Sequence, residues 1–347
     1  MKALVIHAPK DLRLDDATAD AGRPLAAGEI RIKVAAGGVC GSDLHYYHHG
    51  GFGNVRLREP MILGHEVSGH VVETGAGVSG LREGDLVAVS PSRPCGACTY
   101  CHLGQPNHCE NMRFYGSAMP FPHIQGAFRE ELIASAIQCV PANGLTAGEA
   151  AMAEPLAVTL HAMHRAGPLL GKNVLITGCG PIGLLAIASA RLAGAASITA
   201  TDLSDFTLEM ARRMGADRVI NTGTHADGLA EFNVGKGHFD VLFECTGVAS
   251  ALIPALSTMR PRGVVVQLGL GADMQLPITL IAAKELDLRG SFRFHAEFAT
   301  GVLAMQQKRI DVRPLITHEF ALEDAEKAFQ AASDRSCAIK TQIQFSA

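Results

Sequence analysis

Val174-Leu175-Ile176-Thr177-Gly178-Cys179-Gly180-Pro181-Ile182-Gly183 is the stretch whose reading decides the fold. A short β-forming run enters a G-x-G-x-x-G turn, and an amphipathic segment, Ile182–Ala193, follows. Glycines at those three positions admit a tight turn, a close approach to a pyrophosphate and close helix–strand packing, while the helix start offers unpaired N–H groups. Working outward, Ser197–Thr201 reads as the next strand and ends at Asp202; Phe206–Met214 reads as the next helix. Arg218–Ile220, Asp240–Phe243 and Val264–Leu268 continue the series. Strands alternating with helices predict βαβ units and an α/β fold, a doubly wound parallel sheet covered on both faces. Asp202 lies nineteen residues after Gly183, where a carboxylate receives ribose hydroxyls and repels a 2′-phosphate, which favours NAD over NADP. Arg212 and Arg213 keep NADP open, and the alternative for Asp202 is a helix cap.

Before this unit the chain has another character. The first 150 residues or so are rich in Gly, Pro, His and Cys, with short β-like runs at Glu29–Ala35 and Asp85–Val89. After about residue 285 mixed elements return and end in Ala338–Phe345, a tail expected to rejoin the first domain. At 347 residues the chain is long enough for two domains with separate cores. The charge balance, 30 Lys+Arg against 34 Asp+Glu, gives no basic footprint for nucleic acid. The longest apolar stretch, Leu184–Ala190, stops at Arg191 and is too short to span a bilayer. Residues 1–20 carry charges and no apolar core, so no secretory leader is expected and the cytosol is the expected compartment.

Cysteine placement points to metal. Of nine cysteines, four fall in Cys95-x2-Cys98-x2-Cys101-x7-Cys109, a spacing that wraps one tetrahedral ion and leaves no open position, so the site reads as structural zinc. A zinc-finger reader of DNA would need basic residues there, and none lies between 95 and 109; a redox switch is the other alternative. A second donor set is scattered: Cys40 in Gly38-Val39-Cys40-Gly41-Ser42-Asp43-Leu44-His45, His65 and Glu66, and Glu154 in Ala153-Glu154-Pro155-Leu156. Sulfur, imidazole and carboxylate together suit zinc with one position left for substrate.

Gly64-His65-Glu66-x2-Gly69-x5-Gly75-x2-Val78 resembles the signature of the zinc-containing medium-chain alcohol/polyol dehydrogenases. Cys40-Gly41-Ser42-Asp43, the four-cysteine lobe, Glu154-Pro155-Leu156, the glycine turn and Glu244-Cys245-Thr246-Gly247 follow in that family's order, from about residue 30 to 345. The resemblance implies a GroES-like β-rich catalytic domain at 1–152 with the zinc lobe at 90–112, a Rossmann domain at 153–288, and a return segment at 289–347. It implies one catalytic and one structural zinc per chain, NAD or NADP, and hydride transfer from a secondary hydroxyl. The catalytic zinc falls to Cys40 and His65 with either Glu66 or Glu154, and the cofactor to Gly178, Gly180, Pro181, Ile182, Gly183 and Asp202. Ser42 and His45 are placed to relay the proton to solvent, and Glu154 is the further catalytic candidate.

Within the family, Cys40–Gly50, Met112–Phe128 and Arg289–Phe294 are most similar to a branch that oxidises a sugar acid; a polyol is the alternative substrate. Tyr46, Tyr115 and Arg293 are expected in the substrate pocket, with Arg113 and His123 as further partners for a carboxylate. A homotetramer is expected, with no nucleic-acid or membrane partner. The reading outside this class, a non-catalytic dinucleotide-binding protein, predicts loss of metal donors that are all present.

Overall fold

The computed structural model describes residues 1–17 and 22–345; the end of the charged amino-terminal stretch and the last two residues of the return segment lie outside them. The chain forms two compact units, Met1–Glu154 with Phe298–Ala347, and Pro155–Glu297.

The first unit opens with an antiparallel pair, β1 (Lys2–Ala8) and β2 (Asp11–Asp16). In β3 (Glu29–Gly38) alternate residues Ile30, Ile32, Val34 and Ala36 turn inward, the two-residue period of a half-buried strand. It runs three residues past the predicted end because Gly37 and Gly38 pass beneath Phe128 and Glu66, where a side chain would collide. Helix α1 (Gly41–His49) starts at once, with Cys40 as its N-cap, and ends at Gly50 in a left-handed conformation (φ 67°). Strands β4 (Glu66–Thr74), β5 (Leu86–Val89), β6 (Glu131–Ser135) and β7 (Cys139–Pro141) follow.

Helix α2 (Ala153–Ala166) carries the chain into the second unit. There β8 (Asn173–Thr177), α3 (Pro181–Leu192), β9 (Ser197–Asp202), α4 (Asp205–Arg213), β10 (Arg218–Asn221), β11 (Phe239–Glu244), β12 (Met259–Gln267) and β13 (Asp287–Gly290) succeed one another. The strands lie in the order β10-β9-β8-β11-β12-β13, and every neighbouring pair is parallel. The chain winds outward from β8 and then returns to its other side, so the order reverses between β8 and β11; open α/β sheets bind ligands at the carboxyl ends of such a pair. Helix α3 begins at Pro181, one residue earlier than predicted, because proline's fixed φ suits the first helical turn.

The carboxylate of Glu297, the last residue of this unit, accepts hydrogen bonds from His161 (3.0 Å) and His164 (2.8 Å) of α2 and from the backbone N–H of His295 (2.9 Å). Burial opposes its charge, and these donors more than offset that, holding its pKa far below the usual carboxylate range.

Helix α5 (Glu297–Gln306) leads back to β14 (Ile316–Ala321), α6 (Ala325–Ser333) and β15 (Lys340–Gln344). The return strand β15 lies antiparallel to β3 and parallel to β14, completing a sheet β7-β5-β4-β3-β15-β14 with β6 also on β3. Phe128, Ile343, Phe345 and Phe329 fill its core together with Ile30, Ile32 and Val67, so residues from both ends of the chain share one apolar interior. Among the described residues no helix is long and apolar enough to cross a membrane.

Candidate metal centre and cofactor turn

The pairing of β3 with β4 sets Gly38 opposite Glu66, which brings Cys40, just past the end of one strand, beside His65 and Glu66 at the start of the other. One donor atom from each of Cys40, His65 and Glu66 falls within 4.8 Å of the others. Gly38 is required there: a Cβ on it would stand 2.1 Å from Glu66 Oε2. Asp43 ties the two segments together, accepting hydrogen bonds from the N–H of Cys40 (3.0 Å) and of Gly64 (3.3 Å). The same carboxylate lies 3.7 Å from His65 Nδ1, a buried nitrogen with no hydrogen-bonding partner among the described residues.

Lys340 of β15 closes the other side. Its Nζ donates to both oxygens of Glu66 (2.8 and 2.7 Å) and to Val39 O (3.2 Å), and only 2 % of its side chain is exposed. Glu154, at the start of α2, is buried nearby. Burial first, and then the neighbouring Glu66 and Asp43, push its pKa up to about 7 against the pull of His65 and Lys340. Burial likewise raises Asp43. Burial opposes the His65 imidazolium, but Asp43 and Cys40 overcome that and raise its pKa well above the ordinary value.

Three buried carboxylates, Asp43, Glu66 and Glu154, thus surround a thiol with one buried lysine and one histidine to balance them. Buried charge is costly unless compensated, and a divalent cation supplies what this cluster lacks. Zinc also takes sulfur, imidazole and carboxylate donors together, and one of each lies here within 4.8 Å of the others. The residues therefore fit the ion.

The second donor set is local. Cys95, Cys98, Cys101 and Cys109 bring their sulfurs within 4.8 Å of one another. The backbone N–H of Cys95 donates to Cys109 Sγ (3.1 Å). The N–H of Ala97, helped by the Cys109 thiol, lowers the Cys95 pKa to about 6, and the N–H groups of Cys101 and Glu110 lower Cys98. Thiolates are the metal-binding form, so the loop favours it at these two positions, whereas burial and the neighbouring thiols of Cys98 and Cys109 push Cys101 up to about 12.

In the second unit two carboxylates organise the turns at the carboxyl ends of the strands, Asp202 the one after β8 and Glu244 the one after β11. Asp202 Oδ2 accepts from the N–H of Cys179 (2.6 Å), and Oδ1 accepts from Leu203 (2.7 Å) and Ser204 (3.0 Å). Asp202 therefore holds the glycine turn in shape as well as standing at the β9 terminus. Buried Glu244 accepts from the N–H of Thr246 (2.7 Å) and Gly247 (2.9 Å) and from Gln267 Nε2 (2.5 Å). Gly183 must be glycine, since a Cβ would meet Gly178 O at 1.8 Å, whereas space beside Gly180 is open. Arg212 is paired with Glu209 (2.9 Å).

The pocket residues divide. Ser42 and His45 lie three apart on α1, Ser42 half-buried and His45 exposed. Of the two tyrosines expected in the substrate pocket, Tyr46 is a core residue and Tyr115 is half-buried. Tyr46 is 2 % exposed and its Oη accepts from the N–H of Ala118 (3.0 Å). Tyr115 packs against the first core, where burial drives its pKa up to about 12. The sequence hid this because an aromatic residue fits a pocket and a core equally well. His123 is also committed: Nε2 accepts from the N–H of Arg58 (2.9 Å) and Nδ1 faces Pro120 O (2.9 Å). Arg113 is exposed on a strand paired with Ser92–Arg93, beside the four-cysteine lobe. Arg293, in the second unit, holds φ 55° with its guanidinium 4.9 Å from the Phe292 ring centroid. Lys340 was missed; it stands at the head of a largely polar carboxy-terminal strand, Lys340-Thr341-Gln342-Ile343-Gln344, that gives no sign of being buried.

A parallel dinucleotide-type sheet, a buried Cys–His–Glu cluster and a separate tetrathiol loop define the zinc-dependent alcohol dehydrogenases. Residues 26–144 match the alcohol dehydrogenase GroES-like domain and residues 181–308 the zinc-binding dehydrogenase domain, and the chain belongs to this family as an NAD(P)-dependent zinc alcohol/polyol dehydrogenase. It is 43% identical to L-idonate 5-dehydrogenase (NAD(P)(+)) of Escherichia coli, over 90% of this chain and 91% of that one. It is 36% identical to sorbitol dehydrogenase of Gallus gallus, over 94% of this chain and 92% of the relative. The crystal structure of the Escherichia coli L-idonate 5-dehydrogenase superposes with a TM-score of 0.94 at 40% identity, covering 99% of this chain and 98% of that one.

Proposed function

We propose that this chain oxidises C5 of L-idonate to 5-keto-D-gluconate, passing hydride to NAD+ in preference to NADP+, in the cytosol. The observation that carries the reaction type is the Cys40–His65–Glu66 cluster with its surplus of buried negative charge. The substrate is supported by the 43% identity to an L-idonate 5-dehydrogenase.

Cys40, His65 and Glu66 would hold a catalytic zinc ion, with Glu154 positioning a ligand or water, and the four cysteines of the lobe would hold a structural one. Bound zinc supplies Lewis acidity, of the kind that lowers the pKa of water from about 15.7 to about 7. Lys340 fixes Glu66 by both oxygens, so the carboxylate keeps one orientation. Ser42 accepts the substrate's proton and hands it to His45, whose exposed ring delivers it to solvent. Gly178, Gly180, Pro181, Ile182 and Gly183 bind the pyrophosphate. Asp202 meets the adenosine ribose and disfavours a 2′-phosphate. Arg293 pairs with the sugar-acid carboxylate.

The second reading, a sorbitol- or xylitol-type polyol dehydrogenase, is favoured by the 36% identity to sorbitol dehydrogenase; there Arg293 would bind hydroxyls. The test is steady-state oxidation of L-idonate, D-sorbitol and xylitol with each nucleotide, using enzyme purified without chelator. A kcat/KM for L-idonate at least about tenfold above both polyols, a gap of about 1.4 kcal/mol in transition-state binding, is expected. Preference for a polyol would overturn the idonate assignment. The assembly proposed is a homotetramer, supported by the free edge strand β13 with Leu288 exposed, and light scattering on the purified enzyme tests it.

A further inference from the structure

Helix α1 leaves the metal cluster at Cys40 and carries three histidines, His45, His48 and His49, on its later turns. Residues four apart on a helix share a face. The rings of His45 and His49 accordingly lie with centroids 6.2 Å apart, and Phe52 packs 5.8 Å from His45. His48 is turned aside, its Nε2 bonded to Ser333 Oγ at 2.8 Å. His45 and His49 are both exposed, and neither ring has a hydrogen-bonding partner among the described residues. A helix C-terminus favours histidine through its dipole, which accounts for His48 and His49 but not for the facing partner a turn earlier.

We propose that His45 and His49 form a surface site for a borderline divalent transition ion such as Zn2+ or Ni2+, and that occupying it withdraws His45 from proton transfer. The second half rests on the relay role of His45 given above. Imidazole is the preferred side-chain ligand for these ions. Two imidazoles on one tetrahedral ion have centroids about 5 Å apart at 2.0–2.1 Å bond lengths, so exposed side chains need move together by only about 1 Å. Ligation requires neutral rings. Partial desolvation of the ring first, then the nearby His49, Arg335 and His48, hold His45 below its ordinary pKa, which favours the neutral form. Water completes the coordination on the open side. This site is separate from the Cys40–His65–Glu66 cluster, whose His65 and Glu66 are buried.

The experiment uses the zinc-loaded, untagged full chain. Equilibrium dialysis against Ni2+ counts metal bound per chain for wild type, His49→Gln and His48→Gln. Wild type and His48→Gln are expected to take up one more nickel ion than His49→Gln and to release it to free imidazole. In parallel, the concentration of added Zn2+ that halves turnover is expected to rise at least about tenfold in His49→Gln, with turnover before addition unchanged. Equal nickel uptake by wild type and His49→Gln would overturn the site. Loss of nickel without a change in zinc inhibition would overturn the coupling, and with it the relay role of His45, while the site stands.

Discussion

The two donor sets of the first unit solve the same problem in opposite ways. The lobe draws its four thiols from fifteen consecutive residues, with Cys95 exposed, and N–H groups of its own loop favour the thiolate at Cys95 and Cys98. The Cys40–His65–Glu66 cluster, with its histidine and glutamate buried and its cysteine half-buried, gathers its donors from the β3–α1 junction and the start of β4, and needs Lys340 from the last strand to balance it. A local site depends on its loop alone; an assembled one exists only once both ends of the chain have met. The first can stabilise without touching chemistry, whereas the second joins stability to chemistry.

The largest effect that would break this contrast is on turnover. His65→Ala should lower kcat/KM by about 1,000-fold or more, the several kcal/mol that metal activation contributes. It should also remove one zinc per chain, measured by steady-state kinetics and metal analysis. Retained activity would mean that His65 is not a metal donor.

Next comes Lys340→Met, which leaves Glu66 buried and unpaired. Breaking one partner of a buried ion pair costs about 3–5 kcal/mol, read from urea unfolding of the zinc-loaded enzyme. A loss below about 1 kcal/mol would show that the metal alone is enough for Glu66.

Cys98→Ser should release the lobe's zinc and cost about 2–3 kcal/mol of stability, while kcat per folded molecule stays within about twofold. A large fall in kcat with folding intact would erase the division between the two sites.

The smallest effect sharpens the comparison with a buried carboxylate that has no use for a metal. Glu297 is satisfied by His161, His164 and the His295 N–H, and its pKa is depressed in the folded state. Its stabilisation is therefore complete above the unfolded carboxylate pKa, near 4.3. It is lost as pH falls below that value towards the folded pKa. Glu297→Gln should cost about 1.5–3 kcal/mol at pH 7, with the gap to wild type closing in acid and unchanged by chelator.

The parallel sheet was legible because its strands, helices and glycine turn obey local rules: the run Val174–Thr177 into Gly178 needs no distant partner to be recognised. The lobe was legible for the same reason. Cys40, His65 and Glu66 could be named individually, but their meeting depends on the β3–β4 register, in which Gly38 faces Glu66. Lys340 was beyond reach, since a lysine in the polar run Lys340-Thr341-Gln342-Ile343-Gln344 reads as solvent-facing, and Glu66 lies 274 residues away. Tyr46 is buried in the first core and Tyr115 packs half-buried against it, surroundings that an aromatic residue in a sequence does not declare.

The hydrogen bond between His161 and Glu297 also fixes where the chain passes into the second unit and where it leaves. Pro155 lies six residues before His161 on α2, about 9 Å at 1.5 Å per residue, and Glu297 touches His161 at 3.0 Å. With the reach of both side chains included, the two ends of the insert are thus clasped within roughly 20 Å, a gap that about six residues of linker span. Residues 155–297 form a cassette: a gene engineer can excise it, express it alone, or splice another parallel-sheet module into the same gap for the small entropy of closing a short loop.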